Sequence, residues 1–140
     1  MKKTRFLFLV CPVTSLILEL LPWGAVLNFG QPDGEPIRQT YSYFSLTPFG
    51  YANFGPLITA VLSCVLLVLS IAAVIRPAQR LWRANGNVAI VAALVSVMPR
   101  VMFGARYFTP IGGAITLLLV AHTVLMIVLL KRAEKSADTN

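Results

Sequence analysis

A chain of 140 residues that is 57% hydrophobic and only 12% charged carries more apolar surface than one small soluble core can bury. Lipid can solvate the excess, so the composition points to one compact integral membrane unit and leaves no room for a second domain. The net charge of +7 comes from short basic clusters beside apolar runs, a pattern of topology control and contact with anionic headgroups, with no call for nucleic acid.

In chain order, the first apolar run spans about residues 6–23 and follows Lys2, Lys3 and Arg5. A basic start before an apolar run also describes a secretion signal. Glu19 inside the run, its length and the lack of a small-x-small cleavage site favour an uncleaved spanning helix. Residues 24–53 form a long connection. The stretch Gln31-Pro32-Asp33-Gly34-Glu35-Pro36 breaks regular structure. The aromatics that follow, from Tyr41 to Phe54, suit the headgroup layer. A short amphipathic helix near residues 36–46 and a course along the membrane surface are expected there.

The second run, about residues 54–75, is uncharged and is the clearest span; Pro56 sits in its first turn, where the missing N–H is harmless. Arg76-Pro77 ends it. The third run, about residues 87–103, is the weakest, because Pro99 and Arg100 interrupt its last turn. The fourth, about residues 111–130, closes at Lys131-Arg132, and residues 133–140 read as a polar, disordered cytoplasmic tail. The expected fold class is all-α: a polytopic four-transmembrane-helix bundle over residues 1–132, multi-pass in the plasma membrane. With both termini cytoplasmic, nine basic residues (Lys2, Lys3, Arg5, Arg76, Arg80, Arg83, Lys131, Arg132, Lys135) lie inside and three (Arg38, Arg100, Arg106) outside, which satisfies the positive-inside rule. Thr47-Pro48 and Thr109-Pro110 both read as helix-entry devices.

Small and polar residues mark the faces where membrane helices approach closely. They recur as Cys11, Ser15 and Glu19; as Gly55, Thr59, Ser63 and Ser70; as Gly86, Ala89, Ala93, Ser96 and Arg100; and as Gly112, Thr116 and Thr123. Such stripes serve equally for packing inside a bundle or between copies of the chain. Glu19 and Arg100 each continue a stripe, and each sits about one turn from the outer end of its run. An intramembrane ion pair between them is the sharpest expectation, with Arg106 and Arg38 as alternative partners. As a matched pair it would clamp helix one to helix three; as a coupling carboxylate Glu19 would carry protons or substrate. Snorkelling of both to the headgroups is a third reading. His122, which falls off the Gly112–Thr116–Thr123 stripe, is expected as a neutral imidazole bonded to a neighbouring helix.

Cys11 and Cys64 lie in apolar runs with no metal or disulfide spacing. No motif for a metal, a cofactor or an enzyme's catalytic machinery is present. In layout alone, four helices with Glu19 in the first, the chain resembles the small multidrug-resistance transporters. The long aromatic loop at 24–53 and Arg100 depart from that pattern, and the family's function is not carried over. The residues therefore favour a non-catalytic accessory, assembly or interaction module, with lipids and either a homo-oligomer or another membrane protein as partners. The alternative is a small oligomeric transporter or channel that uses Glu19.

Overall fold

The computed structural model describes the backbone of residues 2–137 and the side chains of residues 7–136. The side chains of Lys2, Lys3 and Arg5, and Asp138 in the tail, lie outside the described residues. The elements run α1 (Lys2–Leu20), β1 (Ala25–Gln31), β2 (Gly34–Tyr41), α2 (Leu46–Gly50), α3 (Gly55–Ile75), α4 (Gln79–Phe103), a 3-10 turn at Ala105–Tyr107 and α5 (Pro110–Ala137). The four long helices run alternately up and down. They close into a ring in which α1 packs on α3 and α5, and α4 packs on the same two. The β-hairpin sits at one end of the ring, and the start of α1 and the end of α5 are at the other.

Three helices, α3, α4 and α5, are long and apolar enough to cross a membrane; the 21 residues of α3 alone reach about 30 Å. Their outward faces carry Val61, Val68, Leu94, Val101, Leu117 and Val124, all exposed, as lipid contact requires. The weakest of the expected spans is thus a full 25-residue helix. Pro99 lies inside it and leaves the Val95 carbonyl without its usual amide donor. Gly55 of α3 fits against that spot: a Cβ on it would stand 2.8 Å from Pro99 Cδ and 3.2 Å from the Val95 oxygen. Gly104, at φ 88°, then turns the chain sharply out of α4.

α1 ends at Leu20, before the expected end of its run near residue 23. The helix stops partway up the bundle, and the hairpin base completes that corner. Ala25, Val26 and Leu27 at the start of β1 are buried, as is Tyr43 just past β2. Ala25 and Tyr43 belong to the same core as Ala60, Leu66, Ala89, Ala92, Ile115 and Leu119. Non-helical backbone can sit inside a bundle only if its polar groups find partners within the protein. Here Thr109 Oγ1 donates to the Gly24 carbonyl at 2.8 Å, Asn53 Nδ2 to the Val26 carbonyl at 3.4 Å, and the Tyr43 amide to the Glu19 carbonyl at 2.9 Å.

This corrects two expectations. The fold is mainly helical but not all-α, and residues 34–41 form a strand where a short helix was expected near 36–46. The strands pair antiparallel, from Ala25 opposite Tyr41 to Phe29 opposite Ile37, around a turn at Pro32-Asp33. The signal was present. Pro-Asp-Gly lies between Val26-Leu27-Asn28-Phe29 and the alternating Ile37-Arg38-Gln39-Thr40-Tyr41, which is hairpin chemistry. In addition, α5 continues helically to Ala137 through most of the expected tail, with Glu134 reaching Arg83 at 3.5 Å across α4 and α5.

Candidate functional site

Two features stand out from ordinary helix packing: a buried carboxyl under the hairpin, and the hairpin itself. Glu19 is 0% exposed. The stripe Ser15–Glu19 of α1 faces the stripe Thr59–Ser63 of α3, so both hydroxyls reach one oxygen. Ser15 Oγ donates to Glu19 Oε1 at 3.0 Å and Ser63 Oγ donates to it at 2.6 Å. Glu19 Oε2 is buried with no hydrogen-bond partner. Above the carboxyl sits the Tyr43 ring, which Gly24 and Gly112 make room for. A Cβ on Gly24 would stand 2.8 Å from Tyr43 Cδ1, and one on Gly112 3.1 Å from Tyr43 Oη.

The expected Glu19–Arg100 ion pair does not form, and depth explains why. Ser63 lies eight residues beyond Gly55 in α3, about 12 Å along the axis. Glu19 is level with Ser63, whereas Pro99 and Arg100 are level with Gly55. Arg100 also points away from the bundle. The buried positions of α4 are Asn85, Gly86, Ala89, Ala92, Ser96 and Pro99, so the stripe passes through Ala92 and Pro99 instead of Ala93 and Arg100. Arg100 is exposed, with its guanidinium carbon 5.9 Å from the centre of the Phe108 ring. Arg38 on β2 and Arg106 on the 3-10 turn are exposed as well, and neither reaches Glu19.

A second polar cluster lies nearer the termini. His122 Nε2 is 2.7 Å from Asn85 Oδ1, and Asn85 Nδ2 donates to Ser70 Oγ at 2.8 Å and to the Leu66 carbonyl at 3.4 Å. With the amide oriented by Ser70 and Leu66, the imidazole proton belongs on Nε2. His122 therefore bonds a neighbouring helix as expected, but it is on the buried face of α5, with Gly112, Ile115, Leu119 and Met126. Thr116 and Thr123 flank that face; Thr116 reaches Ser96 of α4 at 2.9 Å. Asn85 escapes the sequence reading because it lies two residues before the start of the third apolar run. Phe8 packs edge-on against His122 and tilted against Trp82.

The hairpin joins a fixed half to an open half. The first half of β1 is buried, whereas β2 is exposed along almost its whole length. Around the hairpin, Trp23, Phe49, Tyr51, Phe54 and Phe103 are exposed. That belt is what an aromatic collar at a membrane interface looks like. Among the described residues, no cluster of histidine, cysteine and acidic side chains could hold a metal ion. No family model, curated protein or solved structure matches the chain, so function has to be argued from these residues.

Proposed function

We propose that the protein is a non-catalytic membrane module that crosses the plasma membrane four times, with both termini cytoplasmic, and displays its hairpin outside as an interaction surface. The observation that carries this reading is the contrast within the hairpin. Its base is locked into the bundle by Ala25–Leu27, Asn53, Thr109 and Tyr43, while β2 offers an exposed strand with an unpaired edge. An unpaired edge is a template for another strand, and a rigid one loses little entropy on pairing. The partner is then a membrane-associated protein or a second copy of the chain, beside lipids held by the aromatic belt.

Photo-crosslinking residues introduced one at a time over 35–40 test this in native membranes. Strand pairing gives one discrete adduct whose yield alternates with residue number. Lipid-facing controls at Val61 and Val68 give no discrete protein adduct. Equal, diffuse labelling from β2 and from the controls would remove the hairpin as the working surface.

A second reading is favoured by Glu19: a small oligomeric transporter or channel. An ionisable group deep in a membrane bundle with an unpartnered oxygen is a functional candidate on physical grounds. Flux through reconstituted protein that Glu19→Gln abolishes supports this reading, and flux that Glu19→Gln leaves unchanged removes Glu19 from the mechanism.

A further inference from the structure

Three features put uncompensated negative charge at one point inside the bundle. The first is the Glu19 carboxyl, wholly buried, with both hydroxyl donors on Oε1 and none on Oε2. The second is the end of α1. The helix stops at Leu20, so the negative end of its dipole falls at Glu19, where an acid is opposed and a cation favoured. The third is that, among the described residues, no basic group is in reach. Between Arg83 and Arg100 α4 carries no charge, and α5 carries none before Lys131. Its one titratable group there, His122, is engaged by Asn85. The titratable neighbours of Glu19 are the Tyr43 phenol from the hairpin base and the Cys64 thiol on α3, and neither group can supply a positive charge. Buried charge that is neither paired nor neutralised is too costly to persist.

We propose that Glu19 and the last turn of α1 form a buried site for one small monovalent cation, either a proton or a metal ion of the sodium class. The carboxyl supplies the charge, Ser15 and Ser63 hold its orientation and add hydroxyl oxygens, and the helix end supplies carbonyl dipoles. Broken or ended helices inside a membrane bundle are where such dipoles become available to a cation. The site lies under Tyr43, whose backbone amide is bonded to the Glu19 carbonyl, so the hairpin base forms its roof. Cation binding does not depend on the interaction reading. Transport through Glu19 would need this site, but the site does not need transport.

Two measurements on the purified full chain in detergent test it. A lipophilic carbodiimide, which reacts with a carboxyl in its protonated form, should give an adduct that peptide mass spectrometry places on Glu19. If the occupant is a proton, labelling follows pH and ignores Na+ and Li+; if it is a metal ion, Na+ or Li+ suppresses labelling and choline does not. The Tm of the wild type should rise in steps with each tenfold increase of the occupant, and Glu19→Gln should flatten that response. Ser63→Ala, which keeps the acid, should shift the midpoint of the response about tenfold or more, and it serves where Glu19→Gln does not fold. A wild-type Tm indifferent to pH, Na+ and Li+ overturns the proposal, as does a response that Glu19→Gln retains or a midpoint that Ser63→Ala leaves in place. A responsive Tm with no flux in proteoliposomes upholds the site and rejects transport.

Discussion

At the scale of single residues, the buried polar groups Ser63, Ser70, Asn85, Ser96 and His122 bond from one helix to another. In lipid such bonds average about 0.6 kcal/mol and reach about 1.7, because polar groups of an unfolded chain in the membrane also find partners. The Asn85–His122 contact, short and wholly buried, belongs in the upper part of that range. A double-mutant cycle of Asn85→Ala and His122→Ala, read by unfolding in mixed detergents, should give a coupling of about 1–1.7 kcal/mol. The same cycle for Glu19→Gln and Arg100→Gln should be additive within about 0.5 kcal/mol, because the two side chains share no partner and differ in depth by about 12 Å. A coupling above about 1 kcal/mol there would mean that Arg100 swings inward to the carboxyl.

At the scale of elements, α3 and α4 approach most closely where Gly55 meets Pro99 and the Val95 carbonyl. Gly55→Ala places a methyl 2.8 Å from Pro99 Cδ, and neither proline ring nor backbone can turn aside. The expected loss is about 1–3 kcal/mol, the usual range for overpacking. Gly86→Ala is the control: its nearest neighbour is Met126 Cβ at 3.8 Å, and alanine favours helix over glycine by about 1 kcal/mol, so its Tm should hold or rise. Equal losses at both sites would show that the Gly55 contact is not close packing. The stripes these residues belong to were legible to different degrees. In α3 the small residues at Gly55, Thr59, Ser63 and Ser70 stand among bulky ones, so one face is defined, and all four are buried. In α4 small residues lie side by side at Ala92 and Ala93, and Pro99 adjoins Arg100, so composition does not choose between faces one residue apart. Choosing the wrong one rotated the helix by about 100° and turned Arg100 inward. The hairpin is hidden differently: the aromatic content of the 24–53 loop reads as membrane surface and masks the alternation on either side of Pro32-Asp33-Gly34.

At the scale of the whole molecule, the unusual element is the corner built from α1 and the hairpin base. α1 ends at Leu20, with Glu19 level with Ser63, about 12 Å short of the level at which α3 begins at Gly55. The remainder is made of strand and loop, satisfied by Thr109, Asn53 and the Glu19 carbonyl. In the proposed four-crossing topology this composite corner makes the fourth crossing, and it decides on which side the hairpin stands. Arg76, Arg80, Arg83, Lys131, Arg132 and Lys135 gather at the end of the bundle where α1 starts and α5 ends, while the hairpin end keeps Arg38, Arg100 and Arg106. Basic residues in short flanks resist translocation, so the hairpin end is expected outside. Native Cys11 is half-buried on α1 and native Cys64 is exposed on the outer face of α3; lipid against those faces keeps both from a membrane-impermeant maleimide and the background low. In intact cells Asp33→Cys should label at once, and Arg80→Cys only after the membrane is opened. The reverse pattern would invert the molecule and move the β2 edge to the cytoplasm. Labelling of both sites from one side would mean that α3 is not a full crossing, and the composite corner would then have no bilayer to span.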